Sequence, residues 1–221
     1  MRKFWHDNGL SIVNFGLFAI FLVATSLTGH RHYNDEQREH GDEPLGYVEY
    51  VRSGNFLEAT MENWESEFLQ MAFYVMLTTM LFQKGSAESK DPDKREKVDR
   101  DPRRVKPHEG MPWPVRRGGV ALRVYEHSLS IAMFLLFLVS FLLHARGGAI
   151  DYSEDQLAHG GSPVSTAEYM STSRFWFESF QNWQSEFLAI WAMVVLSIWL
   201  RQRGSPESKP VDSPHSETGT S

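Results

Sequence analysis

Two short segments place groups capable of proton or cation chemistry at helical spacing. Residues 63–69 read NWESEFL and residues 182–188 read NWQSEFL, a shared NWxSEFL pattern. Asn63 and Glu67 stand four apart, as do Asn182 and Glu186, so each pair shares a helix face. If the first of these helices ends near Phe82, Glu67 lies about 22 Å along it at roughly 1.5 Å per residue. That is just inside the far boundary of a hydrocarbon core about 30 Å thick. Carboxylates at such a depth face a bundle interior or water and are functional candidates. Two of them could share a proton or a cation. The plainer reading is an interfacial carboxylate that snorkels outward or is hydrogen-bonded to its Asn or Ser neighbour.

A second candidate set is His40 with Glu49, near Tyr33 and Gln37, and its counterpart His159 with Glu168, near Tyr152 and Gln156. Histidine beside carboxylate is divalent-metal chemistry. No HxH, HxxxH or HExxH spacing occurs in both sets, however, and His30–x–His32 has Ala149 and Asp151 as its counterparts. A polar turn set by His-Gly and Pro is therefore expected, with no metal. GSAESK (85–90) and GSPESK (204–209) read as helix stops, with Gly85 and Gly204 as positive-φ caps. No nucleophile elbow, nucleotide fingerprint or protease signature is present. No catalytic residue and no cofactor is assigned, and the expectation is a protein that is not an enzyme.

These groups must be positioned by four apolar blocks. Residues 10–28 and 129–143 carry no charge and no polar stripe, and 68–82 and 187–200 are shorter. A span needs about 20 residues, which the short blocks reach by extending back to Trp64 and Trp183, placing an indole at the interface. The sequence thus predicts an all-α fold with four transmembrane helices at about 10–29, 63–83, 125–145 and 182–202. The first block could instead be a cleaved signal, since Arg2 and Lys3 precede it and Ala24–Ser26 is a passable cleavage site. An internal repeat argues otherwise. Residues 8–93 align without gaps to 127–212 at an offset of 119, with 31 of 86 pairs identical, so the first block has an internal counterpart. Each copy contributes an even number of spans, giving two parallel two-helix repeats.

Charge sets the orientation. Lys and Arg number two before the first block, twelve over 83–123 and three after 200, against five in the two segments between paired helices. Both termini and the linker are therefore expected to be cytoplasmic. The domains are a first repeat at 1–84, a largely disordered charged linker at 85–122, a second repeat at 123–204 and a disordered tail at 205–221. The basic end of the linker is a candidate for anionic-lipid contact. In 221 residues there is no cysteine, which excludes disulfides, thiolate metal sites and thiol catalysis. The net charge of −6 argues against nucleic acid as a partner.

With the NWxSEFL and GSPESK-like segments in view, nearly the whole chain resembles a family of bacterial integral-membrane proteins known as a domain of unknown function, duplicated in tandem. The first copy departs from it at Ala87, where the second has Pro206. The resemblance implies a multi-pass protein of the bacterial inner membrane and carries no activity or site residues. The expected function is a non-enzymatic membrane scaffold or envelope component. Its partners would be the lipid bilayer, further copies of itself or other membrane proteins. The alternative is a small channel or transporter subunit using Glu67 and Glu186 on a proton or cation path.

Overall fold

The computed structural model describes residues 2–106 and 108–219, Arg2 by its backbone alone; Pro107 of the linker and the last two residues of the tail fall outside. Among the described residues every regular element is helical. They are α1 (Arg2–His40), α2 (Tyr47–Tyr50), α3 (Gly54–Met80), α4 (Trp113–Arg117), α5 (Gly119–Glu126), α6 (Ser128–Ala158), α7 (Thr166–Tyr169) and α8 (Ser173–Leu196). Two short 3-10 turns, Lys97–Asp99 and Pro102–Arg104, lie in the linker.

Two helices, α1 and α6, are long and apolar enough to cross a membrane, not the four expected. The cause is where polarity falls along α3 and α8. Both are long, at 27 and 24 residues. Their N-terminal parts, however, carry Glu58, Glu62, Glu65 and Glu67, and Arg174 and Glu178, with Glu186 following just past the middle of α8. The helices then stop at Met80 and Leu196, before the expected spans end at 83 and 202. In α1 only 6% of the most apolar window is buried, and in α6 22%.

The chain forms two compact units. Unit 1 comprises Met1–Met61 and Leu143–Phe175; unit 2 comprises Glu62–Leu142 and Trp176–Ser221. Their boundaries fall inside α3, α6 and α8, so each unit draws on both sequence copies.

Unit 1 contains the helix–loop–helix corners, and contacts recur at corresponding positions. Tyr33, Tyr50 and Phe56 form one aromatic run, with centroids 5.7 and 5.5 Å apart. Tyr152, Tyr169 and Phe175 form the other, at 5.8 and 5.7 Å. Each central tyrosine lies against a helix glycine where a Cβ would strike the ring, Tyr50 on Gly29 and Tyr169 on Gly148. The loops are clamped alike. The Asn34 side chain accepts from the Leu45 amide (2.8 Å) and donates to its carbonyl (3.0 Å). The Ser153 hydroxyl accepts from the Val164 amide (3.0 Å). A Cβ on Gly147 would sit 2.5 Å from the Glu58 nitrogen, and one on Gly54 would sit 2.7 Å from the Gly147 carbonyl. The backbones of α3 and α6 therefore touch with no room for side chains.

In unit 2, Trp183 gathers Phe180, Phe137 and Trp176 at 5.5, 6.2 and 6.5 Å. The GSxESK segments are turns, with Gly85 and Gly204 at φ +85 and +86; because α3 already ends at Met80 and α8 at Leu196, these glycines turn the chain beyond the helices and are not the caps expected. In each, the second serine accepts from the backbone just beyond the helix, Gln83 to Ser89 (2.8 Å) and Gln202 to Ser208 (2.9 Å). Lys209 is buried, and its ammonium donates to the carbonyls of Gly85 (2.5 Å), Glu217 (2.8 Å) and His215 (3.1 Å). The Gly85 amide in turn donates to Thr218 Oγ1 (2.9 Å).

The helix approach and the lysine clasp can each be probed by substitution. Gly147→Ala should destabilise the folded protein by about 1–3 kcal/mol. Gly16→Ala, where a Cβ meets nothing within 4 Å, should be neutral or slightly stabilising; thermal unfolding in detergent compares the two. Lys209→Met should release the tail, seen as faster cleavage after Arg203 by trypsin, because the buried carbonyls lose their shared donor.

Candidate functional site

Unit 1 encloses a half-open cavity of about 1250 Å³, larger than a typical small-ligand pocket. Its walls come from the C-terminal half of α1 (Thr25 to His40), from Asp42 and Tyr50, from the first turns of α3 (Asn55, Ala59), from the end of α6 (Asp151 to Ala158), and from His159 and Arg174. The surface is acidic and imidazole-rich. Glu36, Asp42, Asp151, Glu154 and Asp155 face it, with His32, His40 and His159, against one permanent cation, Arg174.

The base of the cavity is tied to a buried polar network. The Glu58 carboxylate is almost fully buried and accepts from Tyr169 Oη at 2.6 Å. Its other oxygen lies 3.6 Å from the Arg174 guanidinium, which also donates to Asp151 at 2.8 Å. An imidazole nitrogen of the fully buried His144 comes within 4.8 Å of a Glu58 oxygen. Its ring packs 4.9 Å from that of Phe175. The Arg174 guanidinium also sits 5.7 Å from the Tyr152 ring centroid. A buried carboxylate survives only with such partners, since an uncompensated charge there is costly. Burial first, and then the charge of Asp151, raise the Tyr50 hydroxyl above its ordinary range, so it stays protonated and able to donate.

The sequence-derived candidates separate. His40 and His159, from opposite copies, both line the cavity, as do Tyr33 and Gln37. Glu49 and Glu168 do not; each closes the first turn of a short helix. Glu49 accepts from the Gly46 amide (2.9 Å) and Glu168 from the Ser165 amide (2.7 Å). That amide holds the Glu168 carboxyl below the usual carboxylate range. Ser165 and Glu168 form a reciprocal capping box. In the HxH pair, His30 Nε2 is within 2.8 Å of the Leu45 carbonyl while His32 faces the cavity, so the two do not converge. Among the described residues, no three His, Asp or Glu side chains of the cavity walls bring ligand atoms within 4.8 Å of one another.

The NWxSEFL residues lie in unit 2 and outside the cavity. Gln70 donates to the Glu186 backbone carbonyl at 2.8 Å, and the Glu67 and Glu186 carboxylates feel each other's charge. Glu67 is exposed and Glu186 half-buried. The Asn182 amide bonds back to the Glu178 carbonyl (3.2 Å). Asn63 supplies its carbonyl to the Ser66 hydroxyl (2.8 Å). The buried carboxylate of the motif is instead Glu65, at the variable position, which accepts from Trp183 Nε1 at 3.1 Å. Glu58, Asp151, Arg174, His144 and Glu65 all escaped the sequence reading. Their counterparts are Phe177, His32, Asn55, Thr25 and Gln184, so a comparison of where the copies differ would have found them.

Removing one hydroxyl tests the network. Tyr169→Phe should lower stability by about 1.5–3 kcal/mol, the range for a buried hydrogen bond to a charged group, measured by denaturant unfolding. Tyr47→Phe, whose hydroxyl pairs with Ser26, should cost less, because both of those groups are neutral.

No curated protein and no solved structure matches the chain. A family described as a domain of unknown function (DUF6766) matches residues 1–220, and the chain belongs to that family.

Proposed function

We propose that this is a multi-pass protein of a bacterial inner membrane that works without covalent chemistry, as a scaffold whose outer face receives a positively charged ligand or partner. The observation that carries the reading is the acidic, histidine-rich cavity at the C-terminal ends of α1 and α6, the two helices apolar enough to cross a bilayer. Several facts support the membrane part. α1 leaves Leu10, Phe15, Ile20 and Phe21 more than 60% exposed. A contiguous apolar surface of that extent calls for a nonaqueous neighbour. Basic residues cluster at the opposite ends of these helices from the cavity, which supports cytoplasmic termini and a cytoplasmic linker. In this reading α3 and α8, about 40 and 36 Å long at 1.5 Å per residue, are the returning legs. Their polar first halves sit at the outer headgroup level. The matching corners at Tyr50 and Tyr169 support a tandem duplication.

The cavity's charge selects the ligand class. Five carboxylates against one guanidinium, with the Tyr33 and Tyr50 rings in the wall, suit an organic cation or a hydrated metal ion held through water. The alternative, a proton or cation path through Glu67 and Glu186, has less support, since neither residue lines the cavity.

The chain has no cysteine, so single cysteines report topology directly. Glu43→Cys should react with an impermeant maleimide in intact cells, and Glu109→Cys only after permeabilisation. The reverse pattern, or release of the protein by alkaline carbonate, removes the membrane reading. Spermidine should bind the detergent-solubilised protein, and Glu36→Gln with Glu154→Gln should weaken it about tenfold. No calorimetric signal with spermidine or Mn²⁺ at millimolar concentration removes the ligand reading.

A further inference from the structure

The segment between the GSAESK turn and α6 carries a surface that the cavity does not use. Pro112 and Pro114 start α4, and two successive glycines in the left-handed region, Gly118 (φ +70) and Gly119 (φ +60), turn the chain into α5. Leu122 is buried (4% exposed), so one side of α5 is covered. The other side is turned out. Trp113, Val120, Val124 and Tyr125 are 56, 76, 53 and 45% exposed. Val120 and Val124, four apart on one helix, share a face. Among them stand Arg116, Arg117 and Arg123, with no carboxylate partner among the described residues. The Arg117 guanidinium lies 5.1 Å from the Trp113 ring centroid, which orients it while leaving its N–H edge open. The one acid within α4–α5, Glu126, is neutralised by Arg103 at 2.7 Å. After a single residue, His127, the chain enters α6.

From this juxtaposition we infer that α4–α5 is a headgroup-level docking surface for anionic phospholipid, with the arginines on the lipid phosphodiesters and Trp113, Val120 and Val124 in the acyl boundary. The inference rests on the membrane reading above. Charge complementarity and continuity with α6 choose the occupant. A guanidinium fits a phosphodiester through paired N–H donors. Exposed tryptophan and valine beside unpaired arginine fit an interface and not bulk water. A soluble phosphate compound would satisfy the arginines and leave the apolar face wet, so the occupant is the bilayer surface.

The test uses the full chain in mild detergent, titrated separately with phosphatidylglycerol, phosphatidylcholine and inorganic phosphate while the thermal unfolding midpoint is followed. Phosphatidylglycerol should raise the midpoint by several degrees, and the other two should not. R116Q/R117Q/R123Q should lose most of that shift, Trp113→Ala about half, and R116K/R117K/R123K should retain an intermediate shift. The glutamine variant should stay in the carbonate-resistant membrane fraction, so its loss of lipid response is separable from failure of the membrane reading. An undiminished shift in the glutamine variant, an equal shift with inorganic phosphate, or no shift in the parent protein overturns the inference. Should the glutamine variant fail to fold, an undiminished shift in the lysine variant together with Trp113→Ala overturns it equally.

Discussion

The constraint on which unit 1 depends is the approach of α3 to α6 at Gly54 and Gly147. Each glycine faces the other helix's backbone at a distance that no side chain could share. Bringing two helices that close forfeits side-chain packing at the crossing and gains direct backbone contact. It also sets the surroundings of the next helical turn. Glu58 is carried beside Gly148 and under the Tyr169 ring, where its charge is cut off from water. Tyr169 and Arg174 are the answer to that burial, and Arg174 in turn holds Asp151 in the cavity wall. The electrostatics of the cavity thus descend from two absent Cβ atoms.

The repeated part of the fold was legible in the sequence because repetition made it visible. The long helices α1, α3, α6 and α8, the His-Gly turns, and the positive-φ glycines at Gly85 and Gly204 are all positions where two independent stretches of chain agree. The loop clamps at Asn34 and Ser153 were not, since an amide and a hydroxyl do the same task with different letters. The expectation of four spans met only two helices apolar enough to cross, for a related reason. It judged α3 and α8 by their second halves, whereas the helices begin at Gly54 and Ser173, inside polar sequence.

The site was much less legible than the fold. Searching for chemistry repeated in both copies led to Glu49 and Glu168, which are repeated because both corners need an N-terminal cap. It led also to Glu67 and Glu186, which flank a helix crossing. The buried charges belong to one copy or the other: Glu58 where the second copy has phenylalanine, Arg174 where the first has asparagine. Where two copies pack into one unit, the Arg174 guanidinium serves both Glu58 and Asp151, and duplicating any of these charges would leave a like charge without a partner. His40 and His159 were found because a wide cavity mouth can be lined symmetrically where a narrow polar floor cannot.

The clasp at Lys209 bears on the order in which the polypeptide is completed. Gly85 hands its carbonyl to an ammonium 124 residues later and its amide to a hydroxyl 133 residues later. While the ribosome is still making the intervening chain, neither partner exists, and both backbone groups must remain hydrated. The segment after α3 therefore reaches its final hydrogen bonding only once Lys209 and Thr218 have left the exit tunnel. Closure of unit 2 is a late step of synthesis, timed by the emergence of Lys209 and Thr218.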